Sequence, residues 1–438
     1  MELKDKFITS YAPFEAQIIG EVDALRKIRL EGLKTFEAKG FPTKKEEAWK
    51  YTSLNSLLKK EYNILPAAVS ISKEEVKEFF LKDTDTYKLV FINGVLAVEL
   101  SDYTSDIATI LPMSVAFKNE ETLSLLNEYY NQTVNKDDSL TALNTAFAAE
   151  GAFIYVGKSK VVDKPIELVY LSTSTEEAVF TQPRNLVIVG ENAQVKIVER
   201  HQNIGTADTI TNVVTEIYSE KHALCDYYKL QNDVAAANLI DNTYIKQGDS
   251  SRVCVHTFSF GGKLTRNNLN FYQEGEHIDS TLKGITIIGN KQHVDHYTLV
   301  SHNQPNCESH QNYKSIFDDS AVGVFNGKIY VDKIAQKTDG FQQNNNILLS
   351  DKATVYTKPQ LEIFADDVKC SHGCTIGQLD DEAMFYMRQR GIPQREAKAL
   401  LMYAFTEEVM SSISIPSLRL MIANLIASKL GVSMDFEI

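Results

Sequence analysis

The chain has 438 residues, 43% of them hydrophobic, and a formal net charge of -13. That length supports a large core and two or three domains, and the acidic balance argues against a nucleic-acid scaffold with a basic stripe. No run reaches the roughly 18 apolar residues needed to span a bilayer, and the opening MELKDKFITSYAPFEAQ has no apolar stretch behind a basic flank, so a cytoplasmic location is expected. The five cysteines, Cys225, Cys254, Cys307, Cys370 and Cys374, are irregularly spaced and include no C-x-x-C pair. They fit a reducing compartment better than a disulfide framework.

Residues 1–150 read as a mainly helical domain with a small hairpin. Ile18, Val22, Leu25, Leu33 and Phe36 recur near helical spacing between Pro13 and Lys39, with Gly40 and Pro42 as stop signals, which predicts one long amphipathic helix. Trp49, the only tryptophan, lies in a charged run and reads either as a docking anchor or as packing for its own segment. Residues 88–100, KLVFINGVLAVEL, predict two strands around an Asn93-Gly94 turn.

Residues 151–366 change character to short runs rich in Val, Ile, Thr, Tyr and Phe, with no helix-length period between them. Similar polar turns recur: Gly190-Glu191-Asn192-Ala193, Gly248-Asp249-Ser250-Ser251, Glu274-Gly275-Glu276-His277, Gly289-Asn290-Lys291-Gln292, Asp318-Asp319-Ser320-Ala321 and Leu349-Ser350-Asp351-Lys352-Ala353. Their spacing of roughly 25 to 33 residues is in the range of repeat architectures. The pattern fits the coils of a β-solenoid, and a β-sandwich would also give short strands and polar turns. Cys225 and Cys254, on apolar or alternating runs, read as buried small hydrophobes. His293, His296, His302, Cys307 and His310 superficially resemble a zinc ligand set. Residues three apart on a strand point to opposite faces, so His293 and His296 chelate together only if the strand breaks, while His296 and His302 share a face suited to cross-strand polar pairing.

Residues 367–438 read as a C-terminal helical domain, entered through Val368-Lys369-Cys370-Ser371-His372-Gly373-Cys374-Thr375-Ile376-Gly377-Gln378-Leu379-Asp380. Thiolate and neutral imidazole suit iron, zinc and sulfur chemistry. Four thiolates usually hold an iron–sulfur cluster, so this segment supplies at most one or two ligands to a site shared with a partner. The competing reading is a tight turn with Cys370 buried and His372 hydrogen-bonded to backbone. Pro393 opens a helix carrying Ala397, Leu400, Leu401, Ala404, Phe405 and Val409, and Pro416 opens another with Leu418, Met421, Ile422, Leu425 and Ile426, stopped by Gly431. Apolar faces this broad should cover the end of the solenoid, bind a partner, or both.

Several catalytic signatures are missing. The stretches Gly284 to Lys291 and Gly261-Gly262-Lys263-Leu264 lack the Gly-Lys-[Ser/Thr] of a phosphate loop, and there is no G-x-G-x-x-G, H-E-x-x-H or G-x-S-x-G. The chain is not expected to hydrolyse ATP, and no catalytic residue is assigned.

The stretch from Lys358 to Gly391, KPQLEIFADDVKCSHGCTIGQLDDEAMFYMRQRG, resembles the C-terminal signature of the SufB/SufD family of iron–sulfur cluster assembly proteins. The block from Gly40 to Leu54, GFPTKKEEAWKYTSL, is similar to the SufD branch more than to the SufB branch, and His296 to Lys314 and Val324 to Asn346 extend the likeness. The resemblance implies a right-handed parallel β-helix core, with Gln343-Asn344-Asn345-Asn346 stacking amides between coils, flanked by an N-terminal α/β helical domain and a C-terminal helical domain. It implies a non-catalytic scaffold that pairs with a SufB-like subunit through the solenoid edge and binds a SufC-like ATPase through the C-terminal helices, in the region of Tyr386, Arg390, Ala397, Leu400, Leu401 and Phe405. ATP-driven closure of two SufC subunits would shift the SufB interface. By the same resemblance, Cys370 and His372 belong to the cluster-assembly interface, with His372 offered opposite a SufB cysteine as a candidate iron ligand. Imidazole replaces thiolate in Rieske-type clusters. Cys374 departs from the family pattern and reads as packing or an accessory thiol. No cofactor is expected to be bound permanently; a cluster or iron is shared transiently with SufB, and a homodimer is open to the isolated chain. The alternative from another class is a β-helix polysaccharide lyase or esterase, which would need charged residues aligned along one solenoid face.

Overall fold

The computed structural model describes residues 2–18, 23–173 and 176–432. The middle of the chain is a parallel β-solenoid of about 8 turns. Each turn gives one strand to each of two ten-stranded sheets, so strands adjacent in a sheet are not consecutive in sequence. Leu224 pairs with Arg252 and Glu308 with Asp339, which sets the rise from turn to turn at 28 and 31 residues. Among the described residues no helix interrupts the run from Ala152 to Ile363.

The polar turns that mark the repeat, apart from Leu349–Ala353, have a common geometry. Asn192, His222, Ser250, His277, Asn290 and Asp319 all have positive φ, between 49° and 58°. Asparagine, aspartate and histidine tolerate this left-handed region better than branched residues do. The turns stack on one another: Asn192 N donates to Lys221 O at 3.0 Å, His222 N to Asp249 O at 2.8 Å and Ser250 N to Glu276 O at 2.7 Å. Backbone groups that would be left unpaired at each corner are thereby satisfied by the next coil.

Side chains of equal register form columns inside the solenoid. One column runs Val187, Ile217, Ile245, Phe271, Val300 and Ile329. The facing column runs Ile197, Tyr227, Val255, Leu282, then Gln311 and Gln342. The change from apolar to amide towards the C-terminal end gives a ladder in which Gln342 Nε2 donates to Gln311 Oε1 at 3.1 Å. In the Asn run, Asn346 Nδ2 donates to Asn344 Oδ1 at 2.7 Å and to Thr375 O of the next coil at 3.1 Å. A charged block also sits inside: Lys229 bridges Asp241 at 2.6 Å and Glu199 at 3.7 Å, and Glu199 meets His201 at 2.8 Å. Burial works against the charge on Glu199, but Lys229, His201 and Tyr227 outweigh it and hold the carboxylate below its ordinary range. These carboxylates are enclosed and paired, and form no accessible groove.

The N-terminal region forms a layer over one sheet. Where one long helix is expected, there are two, Leu3–Gln17 and Asp23–Lys39. The first ends because Ile18 leaves helical geometry at ψ 48°, and Pro13 lies inside it instead of opening a new helix. Val22, part of the expected helical face, lies outside the described residues. Phe7, Phe36, Leu143 and Phe147 of the layer pack on Phe180, Ile210, Ile240 and Leu264 of the sheet. A buried ion pair, Arg184 to Glu216 at 2.6 Å, pins the layer, since the same carboxylate accepts the N–H groups of Asn131, Gln132 and Thr133. Trp49 is 4% exposed, with the Arg266 guanidinium 4.0 Å from its ring centroid, so it packs its own segment. The hairpin forms as expected: Tyr87–Ile92 pairs antiparallel with Val95–Leu96 across Asn93 and Gly94, both at positive φ. It also pairs in parallel with Ile166–Ser172 and so begins one of the solenoid sheets.

The C-terminal helices Gln394–Met410 and Pro416–Lys429 correct one expectation. They do not cover the end of the solenoid. They fold back along the outer face of the second sheet, where Met402, Val409, Ile415, Leu418, Ile422 and Ile426 meet Val198, Tyr228, Phe258, Ile285, Ile287 and Ile316. That outer face is itself apolar, and polar contacts fix the docking: Lys314 Nζ to Glu408 Oε2 at 2.9 Å, Tyr228 Oη to Ser414 Oγ at 2.9 Å and His256 Nε2 to Ser412 Oγ at 2.9 Å.

Candidate functional site at the open end of the solenoid

Because the helices lie along the flank, the last turn of the solenoid is uncovered. Its strands, Thr354–Ile363 and Lys369–Gly377, are the end strands of the two sheets, each paired on one side only. Strands near the start of the solenoid, such as Ile166–Ser172 and Thr209–Ser219, are buried along their whole length, whereas Lys369–Gly377 is exposed along most of its length. Such an edge presents a row of unpaired backbone N–H and C=O groups.

Register places the ligand-type side chains. Cys370 pairs with Gly340, His372 with Gln342 and Cys374 with Asn344, and Gln342 and Asn344 are buried in the interior. By the two-residue alternation of a strand, Cys370, His372 and Cys374 all continue the inward-facing columns at the mouth. The segment is a strand and not a tight turn, and among the described residues no group hydrogen-bonds the His372 imidazole. Cys370 is half-buried against Ile329, Val331, Ala335 and Ala365, while Cys374 is exposed. Burial raises the Cys370 thiol above its ordinary pKa, opposed by the backbone contact to Gly340, so metal binding there must displace a proton. Side chains two apart on a strand are separated by roughly 7 Å, too far for three of them to enclose one ion. Consistently, among the described residues no group of three or more His, Cys, Asp or Glu is placed to hold a metal. Facing them across the mouth are Leu361 and Ile363, in register with buried Ile329 and Val331. The alternation Cys370, His372, Cys374 was available in the sequence; its facing inward at an open mouth was not.

The other candidate ligands are committed inside the fold. His296 is buried, with Nε2 2.8 Å from Thr286 Oγ1 across the interior and Nδ1 3.2 Å from Asn267 Nδ2. His302 Nε2 meets Ser309 Oγ at 2.8 Å and His293 Nε2 meets Thr52 Oγ1 at 2.9 Å. Burial pushes His296 down to about 4 and His302 to about 3, so both are neutral at physiological pH. Cys307 is buried with Sγ 3.2 Å from Gly275 O, and His310 is exposed and separate from them. Cys225 is fully buried, and Cys254, partly buried beside His256, is pushed up to about 12 by burial.

The expected ATPase-docking residues divide by exposure. Tyr386 is 60% exposed and Leu400 41% exposed, and Arg390 is exposed with Nη2 3.1 Å from Tyr386 Oη. Leu401 and Phe405 are half-buried, and Ala397 is fully buried. Phe405 is in use within the chain, with Lys314 Nζ 5.2 Å from its ring centroid. The helix Asp381–Gln389 buries none of its residues and adds Phe385, 65% exposed, which the sequence pattern did not single out.

Residues 170–405 match the family model described as SUF system FeS cluster assembly, SufBD core domain, a match that includes the open-end strand and runs into the helix Gln394–Met410. Residues 1–168 match the model of the SufBD protein N-terminal region. The chain is 33% identical over 413 residues to an iron-sulfur cluster assembly SufBD family protein of Synechocystis sp., covering 91% of this chain and 87% of that one. To the iron-sulfur cluster assembly protein SufD of Escherichia coli it is 30% identical over 386 residues, 85% of this chain and 86% of the other. The iron-sulfur cluster assembly protein SufB of Bacillus subtilis is 27% identical over 276 residues, 62% of this chain and 58% of that one. With both family models matched across nearly the whole chain, on a parallel β-solenoid whose last strand carries cysteine and histidine into an open mouth, this chain belongs to the SufBD family of iron–sulfur cluster assembly proteins.

Proposed function

We propose that the chain is a scaffold subunit, without catalytic residues of its own, that joins a SufB-like subunit end to end through its uncovered last turn. The observation that carries this reading is that both sheets end there in strands paired on one side only, neither of which has a fully buried residue. A second β-solenoid brought to those edges would pair the free backbone groups and extend the interior columns into a shared core. Cys370 and His372 would then stand at the joint, with His372 supplying one nitrogen ligand to an iron or nascent cluster whose remaining ligands come from the partner. The cluster is cargo on this reading, and an imidazole ligand suits a site that must release it.

The exposed side chains Phe385, Tyr386, Arg390 and Leu400 form the face we assign to a SufC-like ATPase, in a cytoplasmic complex. Without a SufB-like subunit the same edges would serve a homodimer. ATP-driven movement of the ATPase would reach the joint through the helices docked along the sheet, a two-state coupling.

The test is co-expression with a SufB-like subunit and a SufC-like ATPase. Ile376→Glu, at the open mouth and 51% exposed, is expected to lose the SufB-like subunit while the ATPase still co-purifies. Wild-type recovery of the SufB-like subunit by that variant would sink the end-to-end arrangement.

A further inference from the structure

Behind the candidate iron ligand lies a buried amide with one end in use and the other free. Gln342 is fully buried and pairs in register with His372 of the last coil. Its Nε2 donates at 3.1 Å to Gln311 Oε1 of the coil before, and Thr298 Oγ1 donates to the same oxygen at 2.7 Å. Its Oε1 is buried and has no hydrogen-bond partner among the described residues. The two ends of a carboxamide point apart, so an amide whose nitrogen is turned back towards Gln311 turns its oxygen towards the next coil. His372 occupies that coil at the same register, with neighbouring strands about 4.8 Å apart.

The neighbouring positions single this oxygen out. Behind Cys370 is Gly340, which has no side chain, and behind Cys374 is Asn344, whose Oδ1 already accepts from Asn346 Nδ2 at 2.7 Å. Of the three ligand-type residues in the mouth, only His372 stands over a free acceptor. Across the interior Gly327 is followed in register by Pro359, and neither has a donor side chain. A Cβ at Gly327 would clash with Gln342 Nε2, so glycine there makes the room in which the amide lies. A buried carbonyl without a donor is costly, and the imidazole one coil above it has no hydrogen bond among the described residues.

We propose that Gln342 is the positioning residue for His372: its Oε1 accepts the N–H of one imidazole nitrogen and so presents the lone pair of the other to iron at the joint. This rests on the assignment of His372 as a ligand and adds what orients it. An imidazole bound to a metal commonly donates its second nitrogen to a carbonyl or carboxylate, which fixes tautomer and ring orientation. The contact closes when a second solenoid covers the mouth and the imidazole, exposed in the isolated chain, is packed onto the interior column.

The test compares Gln342→Met and Gln342→Glu in the complex with SufB-like and SufC-like partners. Both lose the donor to Gln311, and only the glutamate keeps an acceptor beneath His372. The histidines of this chain are labelled with heavy nitrogen for magnetic resonance, and His372 is identified by the signal missing from His372→Asn. Before loading, the wild-type complex should hold His372 in a single neutral tautomer, Gln342→Met should give a mixture of the two, and Gln342→Glu should keep a single state. In anaerobic titration, the iron needed for half-maximal loading should rise at least roughly tenfold in Gln342→Met, the scale of a lost outer-shell partner, and less in Gln342→Glu. Gly327→Ala, which displaces the amide without removing it, should act as Gln342→Met does, and it decides if either Gln342 variant fails to assemble. If His372→Ala loads as wild type, the ligand assignment itself falls and this proposal with it. If His372→Ala loads poorly while Gln342→Met keeps one tautomer or loads as wild type, the ligand stands and the role of Gln342 falls. Equal loss in Gln342→Met and Gln342→Glu would make the ladder, and not the acceptor, responsible and also overturns the proposal.

Discussion

At the scale of single residues, His372 separates ligand chemistry from architecture. It is exposed on a strand and carries no hydrogen bond among the described residues, so its removal should cost the fold little. In a complex reconstituted anaerobically with SufB-like and SufC-like partners, His372→Ala should assemble normally and yield less iron and sulfide, and His372→Cys should retain part of the yield by offering a thiolate. A fully loaded His372→Ala complex would end the ligand assignment. The interior histidines act in the opposite way, on stability. His302 sits near 3 in the folded chain because burial disfavours the imidazolium, while an unfolded histidine titrates near 6.5. The folded-state value is the lower one, so its contribution is present above about pH 6.5 and lost as the pH falls towards 3. Urea unfolding from pH 7 down to 4.5 should show falling stability, and His302→Gln should flatten that slope by up to about 1.4 kcal/mol per pH unit. An identical slope in the variant would show that His302 does not contribute.

At the scale of elements, the C-terminal helices divide into a face that docks and a face that is free. The docking face has Ala397, Met402, Val409 and Met410 buried. Phe385 and Leu400 are on the free side, 65% and 41% exposed. Phe385→Glu and Leu400→Glu should leave thermal unfolding of the isolated chain within about 0.5 kcal/mol of wild type, as surface substitutions do, yet reduce pull-down of a SufC-like ATPase. Unchanged pull-down by both would move the docking site elsewhere. Ala397, by contrast, can reach a partner only through the packing of its helix.

At the scale of the whole molecule, the proposed reading makes this chain a mechanical and ligand-bearing element, with the hydrolysis carried by a partner. With no phosphate loop in the sequence, the isolated chain should release no phosphate from MgATP, and should alter the turnover of a SufC-like ATPase when the two are mixed. Phosphate release by the purified chain alone would contradict that division of labour.

The sequence by itself determined the repeat. Turn residues able to take positive φ, and β-branched or aromatic runs between them, are local requirements of each coil, and residues such as Asn192, Asn290 and Asp319 carry them in the chain. It also determined the even spacing of Cys370, His372 and Cys374 and the helix starts at Pro393 and Pro416, while the strand that puts those three side chains on one side, where a helical entry or a tight turn was expected, came from the structure. Only the tertiary structure decided which end of the solenoid is open, because the apolar helices have two places to bury their faces and burial energy carries no direction. The outer face presented by Tyr228, Phe258, Ile285 and Ile316 won them. It likewise decided the split between the helices Leu3–Gln17 and Asp23–Lys39, and turned His293, His296 and His302 from an apparent ligand set into separate interior hydrogen bonds. A local pattern can name the residue types that meet a face. Which faces then meet each other is settled by packing between segments hundreds of residues apart.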